Sequence, residues 1–319
     1  MRAFSDLVRN FSGRALLFVV TRLWDFLPTS VRRRSSGQGV GSCLHAVTRR
    51  IQARTQNHST FFFRNRPELK LMTRIAGRLN YGSALNILVL GCSKGAEVYS
   101  IAYAIRSARP DLKLQIHAVD ISDEILAFAR TGCYSLAGVD EPTSDAGTNR
   151  TERDHLTLST RRDQTSISIF DRMTRREIAS MFDIADGQAD IKAWLKRDVS
   201  WHCGDATNPE LVEILGPQDI VVANRFLCHM DPYAAERCLR GIARLVRPGG
   251  HLFVSGVDLD VRTKLAREMM WAPVPDLLQE IYEGDASLTS GWPTAYWACE
   301  PFQFGRRDFR IRYASVFQL

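Results

Sequence analysis

The sequence predicts an α/β protein with a mostly parallel sheet and helices on both of its faces. The run at residues 87–90 is uniformly apolar, which is typical of a strand buried on both sides. Gly91 and Gly95 follow it and frame a tight turn, after which apolar residues recur at helical spacing. A second apolar strand, residues 114–119, ends at Asp120 and completes a strand–helix–strand unit.

Length and charge limit what the protein can be. A chain of 319 residues can form one large core with additions. Residues 1–54 hold ten arginines and two aspartates, whereas the whole chain carries a net charge of +7, so the remaining body is close to neutral. This distribution disfavours nucleic-acid binding by the protein as a whole. The seven cysteines show no metal-site spacing, so we expect a reduced cytoplasmic protein with no metal.

Residues 1–55 are predicted to form a basic, helical N-terminal extension. Apolar residues recur between Phe4 and Leu27 with arginines among them, and the longest apolar run, residues 15–20, is too short to span a bilayer. Three roles remain open: a helix docked on the body of the protein, a surface for an acidic or protein partner, or a basic aromatic helix lying on a membrane. Residues 32–37 are interpreted as an exposed linker.

The strand–turn–helix unit suits a nucleoside ligand that has no pyrophosphate group. A carboxylate at the end of the second strand is where dinucleotide-binding folds hold a ribose, and Asp120 occupies that place. The glycine pattern of those folds is absent. S-adenosylmethionine (SAM) carries adenosine and a charged amino-acid tail instead of phosphates. SAM is therefore one ligand of the kind that this unit suits.

Three segments resemble the CheR-type methyltransferases, which are SAM-dependent enzymes of bacterial chemotaxis and their relatives. Residues 60–64 (TFFFR) resemble the family's T-x-F-F-R, residues 91–100 (GCSKGAEVYS) its [AG]-C-S-T-G-E-E-P-Y-S loop, and residues 129–134 (ARTGCY) its A-R-x-G-x-Y. They occur in the family's order, and the resemblance covers roughly residues 56–260. It implies a class I methyltransferase fold with an antiparallel last strand, and methyl transfer from SAM to an oxygen or nitrogen atom.

The resemblance also implies which residues bind the cofactor. Asp120 would accept from the ribose hydroxyls and Glu97 from the ammonium group. Asp205, after a third predicted strand at residues 199–203, would meet the adenine amino group. The alternative for Glu97 is a solvent-facing residue in the first turn of a helix. The full predicted set is Thr60, Gly91, Ser93, Gly95, Glu97, Asp120, Ile121, Asp205, Ala206 and Asn224.

The stretch between the second and third strands is rich in polar residues. Residues 138–168 are interpreted as a surface insertion. In the CheR family a small antiparallel subdomain around this part helps to bind the receptor tail, and no convincing hairpin signal is evident. We therefore expect that subdomain to be missing. Residues 175–182 and 191–195 are predicted to be helical.

The acceptor side of the site departs most from the family. Arg64 matches the arginine that faces the active site in CheR-type enzymes. Residues 224–231 correspond to the last eight positions of the family pattern C-R-N-V-x-x-Y-F-D, but Asn224 and Arg225 are exchanged, and His229 replaces a tyrosine. A histidine can act as a general base toward a hydroxyl or amine; the alternative is a helix-entry histidine bonded to backbone. A carboxylate needs no base, so His229 favours a small-molecule acceptor over a protein glutamate.

The C-terminal part is predicted to complete the sheet. Residues 219–224 are interpreted as the fourth strand, and an R-P-G-G turn leads into the fifth. Residues 309–317 alternate in part between apolar and polar, which predicts an antiparallel last strand. Residues 261–319 are accordingly treated as a C-terminal helix and strand elaboration.

Two further functions remain open. The turn spells G-x-S-x-G around Ser93, which is also the nucleophile elbow of α/β-hydrolases. A hydrolase would need Asp219 with His229 or His251, and strands before the elbow, which the sequence does not predict. The other possibility is a protein that binds SAM and a partner without catalysis.

Overall fold

A computed structural model of the chain describes residues 21–22, 24–32, 35–55, 59–136 and 168–319. Most of the apolar N-terminal face that begins at Phe4, and nearly all of the insertion interpreted at residues 138–168, lie outside these described residues. Within the described ranges, no helix is both long and apolar enough to cross a membrane.

The chain forms a seven-stranded sheet and a three-stranded sheet, with helices around them. The strands are β1 (Ala84–Leu90), β2 (Lys113–Asp120), β3 (Cys133–Ser135), β4 (Phe182–Ala185), β5 (Gln188–Ile191), β6 (Val199–Cys203), β7 (Gln218–Asn224), β8 (Val246–Ser255), β9 (Ala272–Pro273) and β10 (Val316–Gln318). The helices are α1 (Thr29–Arg32), α2 (Ser35–Ile51), α3 (Arg66–Gly77), α4 (Ala96–Ala108), α5 (Asp123–Thr131), α6 (Arg175–Met181), α7 (Ala193–Lys196), α8 (Leu211–Leu215), α9 (Pro232–Ala243), α10 (Leu259–Glu268), α11 (Leu278–Glu283), α12 (Ala286–Thr289) and α13 (Phe309–Tyr313).

The large sheet has the strand order β6-β2-β1-β7-β8-β10-β9. The first five strands in this order, β6, β2, β1, β7 and β8, are parallel to one another. Strand β10 runs antiparallel to both of its neighbours, β8 and β9. A mostly parallel sheet with an antiparallel last strand confirms the predicted fold class.

The sheet separates two hydrophobic cores. In β1, Ile87 and Val89 belong to the core that contains α4, whereas Leu88 and Leu90 belong to the core that contains α9. All four side chains are fully buried. Successive strand residues point to opposite faces, and both faces are covered, so the strand is apolar at every position.

The small sheet has the order β3-β5-β4, so the prediction that this antiparallel module is missing is wrong. β4 and β5 form a hairpin across Asp186 and Gly187, whose φ angles are 51° and 73°. Two positive φ angles are typical of a type I′ turn, for which Asp-Gly is a strong signal. Each flanking strand has only four residues, and Phe182 and Ile191 at their outer ends also fit the predicted helices, which concealed the signal. The predicted helix at residues 191–195 begins only at Ala193, because Ile191 closes β5.

The last strand is shorter than predicted. Of residues 309–317, the first five form helix α13, and β10 begins only at Val316. Phe309 and Tyr313 are four residues apart and share one helix face, on which both rings contact Phe302. The same apolar residues thus fit a helical spacing as well as a partial alternation.

The described part of the N-terminal extension is docked on the C-terminal part of the chain. Helix α2 starts at residue 35, which corrects the interpretation of residues 32–37 as a linker. A Cβ at Gly41 would lie 2.1 Å from the Trp292 ring, so the glycine permits the helix to cross that indole closely. Trp24 packs edge-on against the same indole, with 5.5 Å between ring centroids.

Candidate functional site

The candidate site lies at the carboxyl ends of β1, β2 and β7, which are neighbours in the sheet. Ligands bind at this edge in open α/β sheets. The turn after β1 has positive φ angles at Gly91 (65°), Ser93 (50°) and Gly95 (82°). A Cβ at Gly91 would lie 2.9 Å from the ring of Phe226, so the turn and the loop after β7 are in contact.

Asp120 connects the turn to the end of β2. Its Oδ2 accepts a hydrogen bond from the Ser93 N–H at 2.8 Å, and its Oδ1 accepts from the Ser122 N–H at 3.3 Å. A carboxylate has about four lone-pair positions, so two remain for the hydroxyls of a ribose. Ile121, the next residue, is 50% exposed and offers an apolar surface at the same strand end.

The three segments that resemble CheR-type enzymes meet in space. Phe62 is fully buried, and its ring centroid lies 5.2 Å from that of Tyr134. The Tyr134 hydroxyl donates to the Lys94 carbonyl at 2.7 Å and so supports the turn. The Phe63 N–H donates to the Ser100 hydroxyl at 3.0 Å, which ties the first segment to α4. Phe62 and Phe63 are therefore core residues as well as parts of a motif.

Glu97 does not face solvent but belongs to a buried hydrogen-bond network. The Asn224 amide nitrogen donates to Glu97 Oε1 at 2.8 Å and to Glu68 Oε1 at 2.7 Å. The Asn224 amide oxygen accepts from the Ser255 hydroxyl at 2.7 Å. Both amide hydrogens of Asn224 are thus used to hold carboxylates. Glu68, on α3, is a member of this site that the sequence did not single out.

The two carboxylates on this amide cannot both ionise freely. Burial, with the negative charge of Glu97, raises the pKa of Glu68 to about 8. Burial also raises the pKa of Glu97, although the bond from Asn224 and the charge of Arg64 oppose the shift. Two buried carboxylates close together repel each other when both are charged. At neutral pH the pair therefore retains a proton.

Three arginines surround one carboxylate beside this network. Asp285 lies 3.2 Å from Arg172, 3.7 Å from Arg225 and 3.9 Å from Arg64, and its side chain is 3% exposed. Burial opposes its ionisation, but the charges of Arg225 and Arg64 hold the pKa of Asp285 below its usual value. We call these four residues the arginine cluster. It has an excess of positive charge, because three cations share one anion.

The arginine cluster is held in place by aromatic and backbone contacts. The Arg64 and Arg172 guanidinium groups lie 5.3 and 5.0 Å from the centroid of the Phe61 ring, which attracts both cations. Arg64 donates to the Ser59 carbonyl at 2.6 Å, and burial, with the charge of Arg225, lowers its pKa to about 10. Arg64 therefore remains charged at neutral pH. Arg225 has a φ of 69°, a strained backbone for a non-glycine residue.

His229 is held by a side chain rather than by the backbone. Its Nδ1 lies 2.7 Å from the Tyr296 hydroxyl, which is also 3.3 Å from both the N–H and the carbonyl of Thr55. Burial, followed by the charges of Arg225 and Arg54, lowers the pKa of His229, so the ring is neutral at pH 7.

Arg54 of the N-terminal extension supports the turn that carries His229. Its guanidinium donates to the Cys228 carbonyl at 2.8 Å and to the Met230 carbonyl. It also lies 5.6 Å from the centroid of the Tyr296 ring. The extension therefore contributes directly to the geometry around His229.

A cavity of 180 Å³ opens between α2 and the C-terminal aromatic residues, and Tyr296 forms part of its wall.

Thr60, Asp205 and Ala206 complete the predicted set of cofactor-binding residues. Thr60 is half-buried and precedes Arg64 of the arginine cluster by four residues in the sequence. Asp205 is exposed, and its Oδ1 accepts from the Thr207 N–H at 2.8 Å, which closes a turn after β6. Ala206 is half-buried beside it. Because β6 pairs with β2, this turn is next to the end of β2, and the adenine contact of Asp205 stays a prediction.

The residues needed for a hydrolase triad do not meet. Asp219 lies near the amino end of β7, where it pairs with Arg247 at 2.6 Å. Ser93 follows the carboxyl end of β1, which runs parallel to β7, so the two side chains are at opposite edges of the sheet. His251 is also at the amino end, opposite Ile220. A triad of Ser93 with Asp219 therefore does not form.

Two family models match the chain. Residues 57–185 match the model described as CheR methyltransferase, SAM binding domain, and residues 174–254 match a methyltransferase domain. The probable biofilm formation methyltransferase WspC of Pseudomonas aeruginosa is 24% identical over 220 residues. That match covers 67% of this chain and 45% of WspC, so it spans less than half of the relative's length.

Solved structures show weaker likeness. The plantazolicin methyltransferase BpumL in complex with SAH has 12% identity and a TM-score of 0.32, over 71% of this chain and 58% of that one. A putative S-adenosyl-L-methionine-dependent methyltransferase from Methanococcus maripaludis has 12% identity and a TM-score of 0.32, over 73% and 70%. Because both scores are low, the fold class rests on the strand order of the sheet.

Proposed function

We propose that this chain, which carries a SAM-dependent methyltransferase domain of the CheR type, transfers the methyl group of SAM to a carboxylate oxygen of an acidic acceptor. The family match establishes the domain and its cofactor, as the motifs predict. The acceptor is the new element of the proposal. The observation that carries it is the arginine cluster.

The described residues fit SAM. The glycine turn at residues 91–95 suits backbone contact with the methionine tail, Glu97 suits its ammonium group, and Asp120 has lone pairs left for the ribose. When bound, SAM supplies a methyl group activated by its sulfonium. The residues of the chain then have to bind both partners, align them in line and exclude water.

The charge of the arginine cluster supports a carboxylate acceptor. Asp285 balances one of the three guanidinium groups, and the carboxylate of SAM would balance a second. One cation then remains for the acceptor, and guanidinium groups bind carboxylates through paired hydrogen bonds. Among the described residues, the buried Nη1 of Arg225 has no hydrogen-bond partner, and an acceptor carboxylate would provide one.

His229 suits this acceptor as a hydrogen-bond donor. We assign the single Tyr296 hydroxyl proton to the shorter contact, which is 2.7 Å to His229 Nδ1, rather than to the Thr55 carbonyl at 3.3 Å, and this places the ring proton on Nε2. A neutral ring with a proton on Nε2 can donate to one oxygen of a carboxylate while the other oxygen attacks. In this arrangement His229 is not a base, and a carboxylate does not need one.

The β3-β5-β4 sheet supports a protein as the bearer of the carboxylate. In CheR-type enzymes a small antiparallel subdomain in this part of the chain helps to bind the receptor tail, and this chain has such a sheet between residues 133 and 191. An absent subdomain would have favoured a small molecule, so this sheet shifts the balance towards a protein. A small-molecule hydroxyl or amine remains the second candidate, because His229 is neutral and the Tyr296 cavity lies beside it.

Alkali lability of the product tests the proposal. The enzyme would be incubated with methyl-labelled SAM and with the protein and low-mass fractions of a cell extract. We expect label in the protein fraction that mild alkali releases as methanol, because carboxyl methyl esters hydrolyse in base. Alkali-stable label in the low-mass fraction would favour the second candidate. SAM binding without transfer to either fraction would favour a non-catalytic role.

A variant of the arginine cluster adds a second test. Arg172→Ala removes one cation, and we expect kcat/KM for the acceptor to fall by about ten-fold or more, as for the loss of a charged hydrogen bond. The Kd of SAM should change little. Arg74→Ala on α3, an exposed arginine outside the three motif segments, is the matched control. Equal kcat/KM for the two variants would contradict the role of the cluster.

A further inference from the structure

We propose that Glu68 is a second carboxylate of the cofactor's ammonium site and that it gives up a proton to solvent when SAM binds. This inference rests on the proposed SAM site at Glu97. It goes beyond that site, because it adds a residue that lies outside the three motifs and makes cofactor affinity depend on pH.

The geometry of the Asn224 amide carries the inference. One amide nitrogen donates to Glu68 at 2.7 Å and to Glu97 at 2.8 Å. The two hydrogens of an amide diverge, so the two accepting oxygens lie roughly 5 Å apart. Glu68 is 5% exposed and Asn224 is 7% exposed, so little water screens the two carboxylates. A charge placed at one of them therefore acts strongly on the other.

The pair is held rigidly from both sides. The Glu68 N–H donates to Oδ1 of Asn65, which caps α3 and fixes where Glu68 lies. The Ser255 hydroxyl donates to the Asn224 amide oxygen and so fixes which side of the amide faces the carboxylates. Neither carboxylate can move away from the other without losing its own hydrogen bond from the Asn224 amide nitrogen.

The surrounding charges leave one proton on the pair in the free protein. Arg64 favours the ionised form of both carboxylates, and Arg225 favours ionisation of Glu97, whereas Asp285 disfavours it for both. Burial outweighs these charges, and the pKa of Glu68 is raised to about 8. At neutral pH Glu68 is thus mainly protonated.

SAM brings the charge that releases this proton. Its ammonium group would pair with Glu97, and its sulfonium adds a second positive charge. A cation next to Glu97 favours the ionised form of Glu68 at this short distance. The proton then passes from the Glu68 carboxyl to solvent, so the pair gains one negative charge as the ligand enters. By linkage, the affinity for SAM rises with pH until the pair is ionised before binding.

Calorimetry in buffers of different ionisation enthalpy counts the released protons directly. At pH 7 we expect the unaltered protein to release close to one proton per SAM bound. Glu68→Gln keeps an oxygen that can accept from Asn224 but has no proton to lose, so its release should be near zero. The amino group of SAM titrates equally with both proteins, and the difference therefore isolates the pair. Glu213→Gln, an exposed glutamate on α8, should behave as the unaltered protein.

The pH dependence of affinity gives the same information independently. Between pH 6 and pH 9 the Kd of SAM should tighten by on the order of 100-fold more for the unaltered protein than for Glu68→Gln, because release of one proton corresponds to a ten-fold change in Kd per pH unit below the pKa of the pair. Parallel pH profiles would overturn the inference. So would the absence of proton release from the unaltered protein at pH 7, whether or not the variant folds. No SAM binding at all would overturn the cofactor site as well, whereas binding without proton release would overturn this inference alone.

Discussion

At the scale of the residue, Asp120 shows how one side chain can order a loop and still be available to a ligand. It accepts from the backbone N–H groups of Ser93 and Ser122 and so holds the turn after β1 against the end of β2. These two bonds leave one lone pair on each carboxylate oxygen for a ligand. Loss of this carboxylate should therefore affect both the turn and the ribose.

Asp120→Ala should weaken SAM binding by on the order of 1–3 kcal/mol, because buried hydrogen-bond acceptors are lost. Isothermal titration with SAM would measure this change. Asp120→Asn, which keeps one acceptor oxygen, should lose less. Unchanged affinity in the alanine variant would rule out the ribose role.

Tyr296→Phe should lower kcat by about ten-fold while leaving the Kd of SAM unchanged, because only the hydroxyl that orients His229 is removed. The pH profile of kcat should change as well, since loss of a hydrogen bond to the ring alters the pKa of His229. Tyr233→Phe, at a residue that is 71% exposed, is the control. Equal kcat and pH profiles for both variants would show that His229 does not need Tyr296.

The sequence identified site residues only where the signal is local. Glu97 and Asp120 follow from a glycine turn and a strand end, which are patterns of neighbouring residues. Glu68 and Arg172 have no such pattern. Glu68 belongs to the site through its bond with Asn224, which is 156 residues away in the sequence. Arg172 belongs to it through Asp285, which is 113 residues away. Long-range partners of this kind are set by the packed fold and cannot be read from local spacing.

At the scale of the element, apolar composition decided what could be predicted. Strands buried on both faces, such as β1 and β7, are continuous apolar runs and were located correctly. The strands of the β4–β5 hairpin have only four residues each, and α13 fits two periodicities at once. In these elements tertiary contacts decide the structure, and the local pattern is ambiguous.

Helix α2 and the residues after it illustrate how one element can support a distant turn. Arg54→Ala removes the bonds to the Cys228 and Met230 carbonyls, so the turn that carries His229 should loosen. We expect kcat to fall and the Kd of SAM to stay unchanged, with unfolding free energy lowered by about 1–3 kcal/mol. Enzyme kinetics and urea denaturation would measure these effects. Arg50→Ala, at an exposed position of α2, should leave both quantities unaltered, and a similar loss in this control would contradict a specific role for Arg54.

At the scale of the whole molecule, the sheet and its two cores support a site that contains buried charges. The raised pKa of Glu68 makes the stability of the fold depend on pH. A carboxyl whose pKa is higher in the folded state contributes stability that is complete below its ordinary pKa. That contribution is lost as the pH rises through the folded value, here about 8.

The unfolding free energy of the unaltered protein should therefore fall relative to that of Glu68→Gln between pH 5 and pH 8, by on the order of 1–3 kcal/mol. Urea denaturation of both proteins at several pH values would test this expectation. Asp285 and Glu300 have lowered pKa values, so their protonation in acid lowers the unfolding free energy of both proteins equally. These contributions therefore cancel in the difference between the two proteins. A constant difference across this range would contradict the buried proton.

The position of Asp285 has a consequence for how the protein tolerates sequence change. Its carboxylate is shared by arginines from three separate parts of the chain. Replacing it alone would leave three like charges facing one another, whereas replacing it together with one arginine would be less harmful. The four positions should therefore show strong epistasis, and a deep mutational scan should recover second-site suppressors of Asp285 variants chiefly among Arg64, Arg172 and Arg225.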